Sequence, residues 1–260
     1  MLRPRIIPCL LVRNGGLVKT EKFGDGKYVG DPINAVRIFN EKEVDELIVV
    51  DIDATRDNRD PDYQLIANLA NECRMPFCYG GGVRTPEQIE RIIGLGVEKV
   101  AVSSAAIADP DLIPTAASRV GSQSVVAVID VKRTGLLRRP EVVTHNASRR
   151  TGLAPVDLAR QFAAAGAGEI VLNAVDRDGA MQGYDLDLIE QVRKAVTLPM
   201  TVLGGAGTLA DIEALLGSFG VIGAAAGSLF VFKGKYRAVL INYPNRLEKE
   251  SLLRRGGFDA

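Results

Sequence analysis

The stretch EIVLNAVDRDGAMQGYDLDLIEQVRKAVTLPMTVLGG (169–205) decides the fold. Its ends, EIVLNAV (169–175) and PMTVLGG (199–205), are short and nearly continuous apolar runs, the pattern of parallel strands buried on both faces. Between them, DLDLIEQVRKAV (185–196) carries apolar residues at helical spacing behind an aspartate suited to an N-cap. Strand, helix and strand make one βαβ unit, and the pattern recurs along the chain. Further strand candidates are RIIPCLLV (5–12), ELIVVDID (46–53), MPFCYGG (75–81), EKVAVSS (98–104), SVVAVIDV (124–131) and GVIGAAAG (220–227). Helical spacing returns in DPINAVRIFNEKEV (31–44), TPEQIERIIGLG (85–96), APVDLARQFAAAG (154–166) and TLADIEALLGSFG (208–220). Eight strands alternating with eight helices predict an α/β fold, the closed (β/α)8 TIM barrel. A doubly wound open sheet is the alternative, but no GxGxxG dinucleotide fingerprint follows the first strand.

The 260 residues suit such a barrel as one domain, with 47% hydrophobic and 25% charged residues excluding a disordered or collagen-like chain. Lys+Arg and Asp+Glu both number 32, so the basic excess expected of a nucleic-acid or anionic-membrane partner is missing. No apolar run approaches the ~18 residues of a membrane span, and the N-terminal stretch is too short for a signal peptide. Cys9, Cys73 and Cys78 are odd in number and lack paired ligand spacing, which predicts packing roles in a reduced cytoplasm and no metal. A single histidine, His145, disfavours multi-histidine metal sites and is expected to lie at the surface or to touch substrate. No motif for a cofactor is present.

The chain also repeats itself. IIPCLLVRNG (6–15) aligns without gaps on VVAVIDVKRT (125–134), Tyr79–Gly82 on Leu203–Ala206, and GVEKVAVSS (96–104) on GVIGAAAGS (220–228). The three matches keep the same order at nearly constant offset, predicting two fused half-barrels of four β/α units, near 1–120 and 121–243. RNGGLVKTEKFGDGKYVGDP (13–32) reads as a long irregular loop over the mouth, a lid or binding element. Residues 244–260 read as a short amphipathic or frayed tail without chemistry.

Barrel ligands sit at the C-terminal ends of the strands. Gly81-Gly82 with Ser103-Ser104, and Gly204-Gly205 with Gly227-Ser228, fall there at equivalent repeat positions. Glycine lets backbone N–H groups approach an anion and serine adds a hydroxyl donor, so the pairs are expected to form two phosphate cradles; tight turn geometry is the plainer alternative. Strand-end carboxylates Asp51, Asp53, Asp130, Asp176 and Asp178 suit acid/base work or ligand contact, or else cap helices and pair with lysines. Asp130 lies within its strand rather than at a cap, which favours chemistry. Its repeat mate is Leu11.

RIIPCL, VKT around Lys19, GDP (30–32), DELIVVDI, GGGVRT, VSSAA, GSQSVV, IDVKR, TGL, GAGEI, DRDGAMQGYD and LGGAG occur in order. Together they resemble the cyclase subunit of imidazole glycerol phosphate synthase over nearly the whole chain. The resemblance implies a barrel that receives ammonia from a glutaminase subunit docked at its N-terminal face and that binds a bisphosphate. It implies substrate contacts at Lys19, Asp51, Gly82, Asp130, Asp176, Gly205 and Ser228, and a ring of Arg5, Glu46, Lys99 and Glu169 where ammonia enters. Two departures matter. The family pattern resembles IPCLDV, with a second catalytic aspartate where Leu11 stands, and Ser103 replaces the family asparagine. RPRIIPCLL, NGGLVKT, DPINAVRIFNEKEVDELIVVDIDAT and GKYRAVLINYP are more similar to a paralogue branch associated with acetamidino modification of bacterial surface sugars. That branch implies ammonia supply to a separate ATP-dependent enzyme amidating a nucleotide-linked acetamido sugar. A working cyclase, or a scaffold that only activates the glutaminase, are the other readings.

Overall fold

The computed structural model describes residues 3–258. Eight parallel strands form the barrel: β1 (Arg5–Arg13), β2 (Leu47–Asp51), β3 (Phe77–Gly80), β4 (Lys99–Val102), β5 (Val125–Thr134), β6 (Glu169–Ala174), β7 (Met200–Leu203) and β8 (Gly223–Ala226). Each pairs with its neighbour in sequence, and β8 returns to β1 with Arg5 opposite Gly223. All eight sequence candidates are strands, and the sheet closes as a (β/α)8 TIM barrel. The continuous apolar runs follow from burial on both faces. Ile6, Leu10 and Val12 point out beneath the helices, whereas Ile7 and Cys9 face a lumen shared with Ile48, Cys78, Val126 and Val171.

One long helix follows each strand: 32–41, 63–72, 86–94, 112–120, 155–164, 186–193, 209–219 and 246–255. Local chemistry sets their starts. Thr85 with Gln88, and Thr208 with Asp211, form reciprocal capping boxes, and proline occupies the first turn of the helices at 32–41 and 86–94. Additional short helices, Ser104–Ala108 and Ser228–Val231, follow β4 and β8, which lie four strands apart.

Two expectations require correction. The segment after β1 is not irregular. Asn14 and Gly15, both at positive φ, make a tight turn, so β1 continues antiparallel into Gly16–Thr20, which pairs with Gly26–Gly30. A matching hairpin follows β5, where Val131–Thr134 pairs with Arg139–Val142. Both hairpins rise over the C-terminal mouth. Nor is the tail a frayed extra: Arg246–Arg255 is the barrel's eighth outer helix, with Leu252 and Leu253 buried. Just before it, the Tyr243 hydroxyl donates to the Ile6 carbonyl at 2.9 Å, binding this end of the chain to β1. Asn245 and Glu248 cap the helix reciprocally. Asn245→Ala should therefore lower global stability by about 1 kcal/mol in urea denaturation, whereas a frayed appendage would show no change.

Candidate functional site

A cavity of about 330 Å³ opens at the C-terminal ends of the strands. Its floor is the lumen layer of Cys9, Ile48, Cys78 and Val171; above stand Leu11, Asp130, Asn173 and Leu203. Asp130 is held by Asn173, whose Nδ2 donates to Oδ1 at 2.9 Å. Its side chain is reached from the cavity yet lies deep in the barrel. Desolvation pushes its pKa up to about 6; the Asn173 hydrogen bond opposes the shift and the Asp178 charge adds to it. Leu11 lines the same cavity and brings no titratable group.

The two hairpins cross the mouth and are tied on the far side. Lys19 Nζ donates to Asp178 Oδ2 at 2.8 Å and to the Thr20 carbonyl at 2.9 Å, both side chains being buried. The Lys22 amide donates to the Asp178 carbonyl at 2.8 Å. From the second hairpin, Asn146 Nδ2 reaches Asp53 Oδ1 at 3.4 Å; Asp53 is also gripped by Arg13 at 2.8 Å. Of the two aspartates after β6, Asp178 lines the cavity, whereas Asp176 accepts the Arg133 amide at 2.6 Å and is not on its wall. Asp176, expected to contact substrate, therefore lies off this wall, and its neighbour two positions on lies on it. Asp51 does line the cavity, but its Oδ1 accepts the Asp53 and Ala54 amides at 3.1 Å each and Arg59 adds an ion pair, so its carboxylate holds the turn after β2 and caps no helix.

The glycine turns have a structural cause of their own. Gly82, at φ +73°, packs so that a Cβ would fall 2.9 Å from the Arg59 carbonyl oxygen, and Gly205, at φ +122°, lies against the Gly183 carbonyl. The serines are more telling: among the described residues, Ser103 Oγ and Ser228 Oγ are buried without hydrogen-bond partners, one at each glycine-serine pair. Gly82, Ser103 and Ser104 line the cavity. Of the second cradle only Gly227 does, beneath the Lys19 side chain; Gly205 and Ser228 are not on its wall.

At the opposite end of the lumen, Arg5, Glu46, Lys99 and Glu169 form a closed ring. Arg5 bonds Glu46, and its Nη2 meets Glu169 Oε1 at 2.6 Å; Lys99 Nζ meets Glu46 Oε1 and Glu169 Oε2, each at 2.9 Å. Burial alone would raise the Glu169 pKa, but Arg5 and Lys99 outweigh it and the net shift is downward. Thr201, which sequence reading missed, completes the ring by donating to Glu169 Oε1 at 2.6 Å. Only its position beside Gly223 makes room for it, a relation visible after β7 and β8 pair.

A model of the family described as histidine biosynthesis protein matches residues 5–237. The chain belongs to that family. A Leptospira interrogans protein, provisionally named imidazole glycerol phosphate synthase subunit HisF, is 58% identical over 252 residues, covering 97% of this chain and 99% of its own. A Pseudomonas aeruginosa relative, provisionally named as that enzyme's subunit hisF2, is 53% identical over 245 residues, 94% of this chain and 97% of its own. A Hyphomonas neptunium protein named imidazole glycerol phosphate synthase subunit HisF is 40% identical over 232 residues, 89% and 91% of the two chains. Among the described residues, no group of three or more His, Cys, Asp or Glu side chains is placed to hold a metal ion, and no helix is long and apolar enough to cross a membrane.

Asp130 supplies a test of site energetics. Its native pKa of about 6 lies above the ordinary 3.8, so the native state holds this proton more tightly than the unfolded chain. Stability is consequently lost as pH rises from about 4 to about 6 and is level above that. Asp130→Asn, which still accepts from Asn173, should stabilise the protein near pH 8 by at most about 3 kcal/mol, cavity water reducing the gain, and leave it nearly unchanged near pH 4. Urea midpoints at the two pH values check this.

Proposed function

We propose that this chain is the barrel subunit of a glutamine-dependent amidotransferase, supplying ammonia for an acetamidino sugar. A glutaminase subunit at the N-terminal face would hydrolyse glutamine to glutamate, and the ammonia would pass the Arg5–Glu46–Lys99–Glu169 ring into the lumen. The physical support is the axial order of parts: a charged ring, then the apolar layer of Ile7, Cys9, Ile48 and Cys78, then the mouth. An apolar layer admits neutral ammonia while making ammonium costly. At the mouth, an ATP-dependent enzyme would activate an acetamido carbonyl oxygen as a phosphate ester; ammonia adds to that carbon and phosphate leaves.

The observation carrying this reading over a histidine-pathway cyclase is Leu11 facing the Asp130 cavity. The resemblance implies acid/base chemistry shared between two carboxylates, and here one side chain can neither give nor take a proton. Relatives of 53–58% identity carry provisional names, whereas the relative named without qualification stands at 40%. The cyclase reading keeps one specific support, Asp130 itself, whose pKa near 6 suits a proton-transfer group.

With the glutaminase subunit of the same organism, a one-to-one complex is expected at micromolar concentration, and Lys99→Glu should disrupt ammonia delivery by placing three carboxylates around one guanidinium. Failure of the pair to associate overturns the proposal. Turnover of the bisphosphate cyclase substrate with ammonia should fall ~10²–10⁴-fold below that of a two-aspartate enzyme and rise in Leu11→Asp. Wild-type turnover of roughly 1 s⁻¹ or more would establish the cyclase instead.

A further inference from the structure

The only histidine in the chain is brought to the cavity by an unusual piece of backbone. His145, Asn146 and Ala147 stand consecutively at φ of 53°, 55° and 59°, and none is glycine. Side-chain-bearing residues enter the left-handed region only at a cost, and three in succession persist only where surrounding contacts demand it. Those contacts are visible. The Ser148 amide and hydroxyl both donate to the His145 carbonyl, at 3.1 and 2.6 Å, closing the turn. Asn146 reaches across the mouth to the buried Asp53. The turn carries His145 to the wall of the cavity that holds Asp130, Lys19 and Asp178. The ring is half-buried, with Nδ1 3.1 Å from the Thr144 hydroxyl, while Nε2 has no hydrogen-bond partner among the described residues. Burial first, and Arg149 second, hold the imidazole below its ordinary pKa, which favours the neutral ring, with one nitrogen to donate and one to accept.

We infer that His145 is a specificity-determining residue of the mouth, its Nε2 hydrogen-bonding a hydroxyl of a polyhydroxylated phosphate monoester. The rest of the wall suits that class. Ser103 and Ser104 offer hydroxyls to the phosphate, Asp130 accepts from hydroxyls, and Leu11 and Leu203 face the carbon chain. The inference rests on the mouth binding a phosphorylated ligand, which the unpartnered, buried Ser103 hydroxyl beside Gly82 and Ser104 on the same wall supports, and not on ammonia delivery.

Because the chain has one histidine, protein labelled with 15N-histidine shows a single pair of ring nitrogen resonances. Glycerol phosphate, inorganic phosphate and glycerol are titrated separately. Glycerol phosphate is expected to move the Nε2 resonance of wild-type protein. His145→Ala should weaken glycerol phosphate binding about tenfold, the loss of one hydrogen bond to a ligand, and His145→Gln, which retains a donor, should weaken it less. Inorganic phosphate should bind wild type and His145→Ala equally. An Nε2 resonance unmoved at saturation, equal affinities of wild type and His145→Ala for glycerol phosphate, or no binding at millimolar concentration each overturns the inference. Since the resonance is read in wild-type protein, a poorly folding variant does not spoil the test. A glutaminase complex that forms while His145 stays silent sinks this inference alone; a responsive His145 without complex formation sinks only the amidotransferase reading.

Discussion

Six residue pairs between Val126–Val131 and Glu169–Ala174 close the sheet into a barrel, and every feature with chemical meaning depends on that closure. A closed sheet gives each strand an inner and an outer face, so alternate residues must fill a narrow lumen. Once the lumen exists, its two ends are chemically distinct. At the strand starts, charged side chains from β1, β4 and β6, with Glu46 just ahead of β2, meet on the axis and neutralise one another. At the strand ends the apolar layer widens into a cavity with Asp130 in its wall. An open sheet would leave Arg5 and Glu169 far apart, with each buried charge uncompensated.

The loops after β1 and β5 are built alike. Each of these strands runs on into a hairpin that crosses the mouth to an aspartate, beyond β6 for the first and beyond β2 for the second: Lys19 to Asp178, Asn146 to Asp53. The two ties differ in kind. Lys19 and Asp178 form a buried ion pair, so removing either partner strands a charge in a poorly solvated place. Asn146 makes a long, neutral-donor contact to a carboxylate already satisfied by Arg13 and Arg56. The first hairpin is therefore the firmer cover, and it lies over Gly227 on the second-half side of the mouth.

The barrel strands were legible because burial on both faces leaves unbroken apolar runs, and the long helices because spacing and caps agree. The hairpins were legible only in part. Asn14-Gly15 is a strong turn signal, but the flanking segments are glycine- and lysine-rich and lack the apolar alternation that marks a strand. The site was readable to the level of the loop, not of the side chain. Asp176 and Asp178 sit two residues apart at a single 3-10 turn, and which of them faces the cavity is set by the Arg133 amide and by Lys19, contacts far away in sequence. Thr201 shows the same limit: a threonine in an apolar strand becomes part of an ion-pair ring only because its neighbour on β8 is Gly223.

The replacement at Leu11 has an electrostatic consequence beyond the loss of a proton carrier. A carboxylate there would join Asp51, Asp130 and Asp178 on the cavity wall; Asp51 is paired with Arg59 and Asp178 with Lys19, so the new charge would meet Asp130 without a cation between them. Like charges at close range raise one another's pKa, so such a mouth would keep one carboxyl protonated near neutrality, the arrangement acid/base catalysis needs. With leucine, Asp130 has no second free carboxylate beside it, and it owes its raised pKa first to burial. Its proton is then governed by whatever water or ligand fills the cavity, because desolvation changes with occupancy whereas a fixed neighbouring charge does not. A mouth of this kind responds to the polarity of its occupant, and the Asn173 amide, the one hydrogen-bond donor on Asp130 among the described residues, sets the point from which it responds.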